Sequence, residues 1–263
     1  MQVPGGRLRR NLFVASALRG VAIATALFGT CVYADLVVPS GGSYALNGGS
    51  TDLGCTDLIV GGALSVDSGS IRGIRNVTIQ SGGSVTVTSG SISLSGDWSN
   101  AGSFGAGSGS VSFVDLAGCA PTGGTISGNT SFASLSFITA TGKTYRIASG
   151  SAQTVTQNLV IQGAPGLPLV LRGSTAGQPA SLNLTGTQSI SNFGAADLVA
   201  GANWIAPNQV NAISGGVTPR IFGDPFAPIP VLPANGLALL VLLLSALAVT
   251  RMRAGKRLEL SNK

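Results

Sequence analysis

The segment GGALSVDSGSI at Gly61 to Ile71 returns as GGSVTVTSGSI at Gly82 to Ile92, with seven of eleven positions identical. Ser-Gly-Ser keeps the same beat, starting at Ser68, Ser89, Ser108 and Ser149. Apolar residues inside the repeat alternate with polar ones. Leu58-Ile59-Val60, Leu64-Ser65-Val66, Val77-Thr78-Ile79, Val85-Thr86-Val87 and Ile92-Ser93-Leu94 are short runs of period two, closed by Gly or Ser-Gly. Short strands and tight turns with a period of about 20 residues describe a solenoid in which each repeat is one coil. A single coil cannot bury its apolar side chains. Stacked at about 4.8 Å, coils pair their backbones above and below and merge the inward Val, Ile and Leu into one core. The expected fold is all-β, a right-handed parallel β-helix with coils of about 20 residues. About nine coils would make a rod of roughly 45 Å. The competing fold for short strands with frequent turns is an antiparallel β-sandwich.

The later half keeps the grammar less regularly. Phe132, Leu135 and Phe137, then Tyr145 and Ile147, Leu159-Val160-Ile161, Leu169-Val170-Leu171 and Leu182-Asn183-Leu184 read as further strands. Its turn rhythm and composition resemble those of bacterial surface proteins with β-helical repeats. The solenoid is expected over residues 35–223. Pro219, Pro225, Pro228, Pro230 and Pro233 then break regular structure, so residues 224–235 read as an extended spacer. Phe222 and Phe226 have two open readings, as the last contacts of the solenoid or as residues at a membrane interface.

Both ends of the chain read as addresses. Residues 1–34 have the order of a signal peptide: Arg7, Arg9 and Arg10, an apolar stretch from Val21 to Phe28, and Val32-Tyr33-Ala34 before the expected cleavage between Ala34 and Asp35. A lipoprotein reading would use Cys31, but Phe28-Gly29-Thr30 lacks the Leu and small-residue pattern for it. At the other end, residues 236–250 are apolar and are followed by Arg251, Arg253, Lys256 and Arg257 within a basic tail of residues 251–263. Counted from Ile229, the apolar stretch is long enough to span a bilayer as a helix, and the basic cluster serves as a stop on the cytoplasmic side.

Ile229-Pro230-Val231-Leu232, followed by Asn235-Gly236-Leu237, an apolar helix and a basic cluster, resembles the IPTL-CTERM family of bacterial C-terminal sorting signals. The likeness is confined to the segment from Ile229 through the basic cluster. Val231 stands where that family has Thr, and Asn235 where it usually has Trp. The resemblance implies processing by an exosortase-like membrane protease, so the expected partners are that enzyme, signal peptidase and the membrane. The expected destination is the cell surface or outer envelope. A plain single-pass anchor is the alternative; a GPI-type tail would end in apolar residues instead.

Removing the two addresses reverses the charge. The chain carries +6 overall, yet residues 35–250 hold six basic residues and eight Asp, a net of 6 − 8 = −2. Nucleic acid is therefore not an expected partner, because that affinity comes from clustered Lys and Arg. Cys31 leaves with the signal peptide, so Cys55 and Cys119 remain as a possible disulfide in an oxidising compartment, or as two unrelated buried thiols.

No enzyme is expected. The chain has no histidine, which removes Ser-His-Asp and Cys-His arrangements, and no G-x-S-x-G elbow occurs. Asp67-Ser68-Gly69 is a single aspartic-protease-like tripeptide, where that chemistry needs two, and the second repeat carries Thr88-Ser89-Gly90 in its place. Asp97 and Asp115 with Arg72 and Arg75 are the only group that could line a solenoid face as a polysaccharide-cleaving β-helix requires; the alternative is charged side chains solvated at the surface. No calcium loop or zinc set is present in the sequence, so neither metal nor cofactor is expected. The chain reads as a structural or adhesive surface protein whose Ser, Thr and Asn faces meet a glycan or a protein; the alternative is a secreted β-helix enzyme acting on polysaccharide.

Overall fold

Inward side chains recur so regularly because the chain winds as a three-sided coil. The computed structural model describes residues 34–119 and 122–223, and the expected signal peptide through residue 33, the spacer, the sorting motif, the membrane helix and the basic tail lie outside the described residues. Each ladder between named strands is parallel, which excludes the sandwich. The described strands form a solenoid of about seven turns.

The first face stacks Leu36–Val38, the ends of Ser50–Val60 and Ser70–Ile79, then Trp98–Asn100, Gly123–Ser127, Thr144–Ile147, Leu169–Gly173 and Phe193–Ala196. After a Gly-Gly turn the chain enters the second face, whose first four strands are Ser43–Ala45, Ala63–Ser65, Ser84–Thr86 and Ser103–Gly105. A Ser-Gly turn leads to the third face, which includes Ser91–Leu94 and Ser110–Phe113. Period-two alternation puts Leu58, Val60, Leu64, Ile71, Val77, Ile79, Val85, Val87 and Ile92 inside. All are at most 1% exposed, so these coils share one apolar interior. Every apolar position singled out in the later strands, from Phe132 to Leu184, is inward too, apart from the outward Val160 and Val170.

The expected nine equal coils are corrected by the spacing. Early partners keep the short period of the repeat, as in Leu36↔Leu58 and Leu58↔Val77. Later ones stretch to Ser110↔Ser134, Thr144↔Val170 and Ala152↔Ser181. The extra described residues sit in corners and not in strands, at 114–119 between the third and first faces and at 174–179 between the first and second. Larger inward rings accompany the longer coils: Phe113 stacks on Phe137 at 4.7 Å, with Tyr145 edge-on at 5.1 Å. Phe222 is 7% exposed and packs on Phe193 at 5.3 Å, so it is one of the last contacts of the solenoid.

Candidate functional site

The corner where the third face turns into the first gathers most of the charged side chains of the early coils. An aspartate or asparagine stands immediately before each early first-face strand, at Asp35, Asp57, Asn76 and Asp97. Each side chain accepts the backbone N–H of its counterpart one coil on. Asp57 N donates to Asp35 Oδ1 at 2.9 Å, Asn76 N to Asp57 Oδ1 at 3.2 Å, Asp97 N to Asn76 Oδ1 at 2.8 Å, and Thr125 N to Asp97 Oδ1 at 2.7 Å. The bend interrupts the strand ladder, and these carboxylates and the amide occupy donors that the interruption would leave open. Sequence reasoning missed this ladder. Its signal was an Asx residue one place before each apolar alternation.

The sequence-predicted quartet of Arg72, Arg75, Asp97 and Asp115 is not assembled as one group. Arg72 pairs with Asp52 at 3.0 Å, and Arg75 with Asp57 at 2.8 Å. Asp97 caps Thr125, and Asp115 pairs with Lys143 at 3.3 Å. The coil period chooses these partners: Asp52 and Arg72 are one period apart in sequence, hence neighbours on adjacent coils. Asp67 likewise serves its turn, with a left-handed φ of 50° and a 2.7 Å bond accepted from Ser65 Oγ.

Cys55 and Cys119 are brought together. Their Cα atoms are 5.6 Å apart and the sulfurs are joined. Cys119 lies on the corner at 114–119, which starts three coils beyond Cys55, so this loop folds back over the intervening corners as a staple. Its root is fixed inside the protein. Lys143 is 6% exposed, and its Nζ donates to Ser95 Oγ at 2.7 Å and Val114 O at 3.3 Å besides meeting Asp115. Asp115 also accepts from Ala140 N at 2.9 Å and from Thr139 Oγ1 at 3.1 Å. Tyr145 OH donates to Ser95 O at 3.2 Å beneath them.

Electrostatics at the corner follow from these contacts. Asp52 is held below the usual carboxylate range, first by Gly54 N–H and then by Arg72. Asp57 is lowered chiefly by the hydrogen bond from Arg75, whose own guanidinium is correspondingly raised. Burial pushes Asp115 up, but the bonds from Ala140, Thr139 and Lys143 outweigh it and its pKa is lowered. Burial, followed by the Asp115 charge, pushes the Tyr145 phenol up.

A cleft of about 720 Å³ separates the staple from the Asx ladder, lined by Arg75, Asn76, Asp97 and the backbone of Gly54, Gly118 and Gly123. Its groups can donate and accept hydrogen bonds to a polar ligand. Among the described residues no three His, Cys, Asp or Glu side chains gather as a metal set. No family model, curated protein or solved structure matches the chain.

Proposed function

We propose that this is an exported bacterial envelope protein whose solenoid is a non-enzymatic structural or adhesive body, displayed through a C-terminal sorting signal. The observation that carries the reading is a row of outward polar side chains on the third face. Ser50, Ser70, Ser91, Ser110, Ser134, Asn158 and Thr187 follow one another coil by coil. Such a row is a regular, uncharged binding surface for a glycan or a protein. The corner carboxylates favour the same reading, because Asp52, Asp57, Asp97 and Asp115 are each engaged in an ion pair or a backbone cap. A glycosidase of the usual kind needs two carboxyl groups facing one substrate.

Sorting rests on the order of the tail. Pro230 and Pro233 oppose helix formation around Ile229-Pro230-Val231-Leu232, which offers an extended segment to an exosortase-like protease just outside the apolar run. Arg251, Arg253, Lys256 and Arg257 hold that segment at a fixed depth.

The test compares wild type with the double variant Ile229→Ala, Pro230→Ala by mass spectrometry of envelope fractions. Wild-type protein at the surface should begin at Asp35 and yield no peptides beyond the motif. The variant should accumulate at full length in the inner membrane. Retention of Arg251 to Lys263 on surface protein, or equal distribution of the two forms, would leave the plain anchor standing. Release of new reducing ends from a surface polysaccharide by the purified protein would replace the non-enzymatic reading with the enzymatic one.

A further inference from the structure

One outward row of the first face runs Asp35, Asp57, Asn76, Asp97, Thr125, Arg146, Arg172, each residue one coil from the next. Its charges are sorted by sign. Carboxylates occupy three of the first four places and guanidiniums the last two. Asp57 is neutralised by Arg75, while Asp35, Asp97, Arg146 and Arg172 make no ion pair among the described residues. Arg146 and Arg172 are direct neighbours on adjacent strands. Like charges placed so work against the sheet unless something negative covers them.

The order of the charges selects what covers them. A polyanion laid along the row would meet Asp97 and Asp35 at one end, and a polycation would meet the two arginines at the other. The same row reversed about its middle answers the charges nearest the centre and sets Arg172 against the uncharged amide of Asn76. A twofold axis through Thr125 sets Asp97 of each copy against Arg146 of the other, an isologous contact made twice. Around Thr125 the adjoining outward row lets two such faces approach, since Thr78, Ser99, Ser127 and Ala148 are small and uncharged, the larger Val37 and Ile59 standing at its start.

We propose that the first face pairs with the first face of a second copy of this chain, antiparallel. The described residues end at Gly223, at the end capped by the Phe193–Phe222 contact, so in an antiparallel pair the two Gly223 ends lie at opposite ends. Resting on the display by the C-terminal end proposed above, the two copies then stand on facing envelope surfaces, and the partner in adhesion is the protein itself.

Analytical ultracentrifugation of the full chain in detergent, over a concentration series, should show a reversible dimer that weakens as salt rises. Asp97→Arg alone, and Arg146→Glu with Arg172→Glu, should each weaken self-association at least about tenfold. Mixing the two variants should restore it, because each supplies the charges that the other lacks. A monomeric wild type, variants that self-associate normally, or folded variants that fail to combine would overturn the pairing. If Asp97→Arg disturbs the fold by removing the Thr125 cap, Arg146→Gln with Arg172→Gln decides instead, since neither guanidinium makes a hydrogen bond among the described residues; unchanged dimerisation would then overturn it. Two populations of vesicles carrying the full chain should cluster with one another. Uptake without clustering overturns the facing-surface geometry, whereas failure to enter vesicles overturns the anchor and leaves the dimer in detergent intact.

Discussion

Gly82 and Gly83 stand side by side in the repeat for different reasons. Gly82 has φ +83° with open space around its Cβ position, so it supplies a left-handed turn. Gly83 has no such φ, but a Cβ there would run into the carbonyl oxygen of Val60 on the preceding coil. Alanine at Gly82 should cost about 1 kcal/mol of backbone strain. Alanine at Gly83 should cost about 1 to 2 kcal/mol more, because the backbone of a neighbouring coil must shift. Urea denaturation of the two variants checks this, and equal midpoints would remove the distinction. The Gly-Gly pair was visible in the sequence as punctuation. Inward residues were equally legible, since alternation within a fixed period assigns Val85 and Val87 without knowledge of any partner. Polar pairing was harder to read because it depends on which corner residues fall one coil apart. Arg72 could have been matched to Asp52 by counting one period, but no period predicts Asp115 with Lys143 across a long corner.

Among the elements, the corner at 114–119 departs furthest from the repeat and carries the staple. Residues 114–119 form no strand, so neither alternation nor turn rhythm could show that this corner folds back over three coils to Cys55. Joining positions 64 residues apart restricts the unfolded chain, an effect of up to about 4 kcal/mol in the chain-entropy view. Cys119→Ser should therefore unfold at lower urea than the parent while keeping the same strand content by circular dichroism. Hydrogen exchange should localise the loss. Amides of the corners at 53–57 and 73–76 should exchange faster, and those of Leu182 and Leu184 should not. Uniform acceleration would mean that the staple holds the whole domain and not its early coils. Peptide mapping without reductant should recover Cys55 and Cys119 in one linked pair; free thiols on freshly secreted protein would count against the staple.

For the whole molecule, the charged groups that change state on folding leave a wide middle range undisturbed. The chain has no histidine, so little titrates between the carboxylates and the phenols. On the acid side Asp57 and Asp115 have folded pKa values below their unfolded value of about 3.9, so they stabilise the fold above that value. The unfolded chain binds protons first, and this contribution disappears as pH falls through the folded values. Tyr145 has the opposite sign. Its folded pKa is raised above the unfolded value of about 10, so its contribution is complete below that pH and is lost as pH rises through the folded value. The urea midpoint should thus be flat from about pH 5 to 9 and fall on both sides. Tyr145→Phe isolates the alkaline limb. It removes the bond to Ser95 O and lowers stability at neutral pH, but the variant should lose less on going from pH 9 to about 11 than the parent does. If parent and variant fall in parallel, Tyr145 does not govern that limb, and the alkaline decline arises elsewhere in the fold.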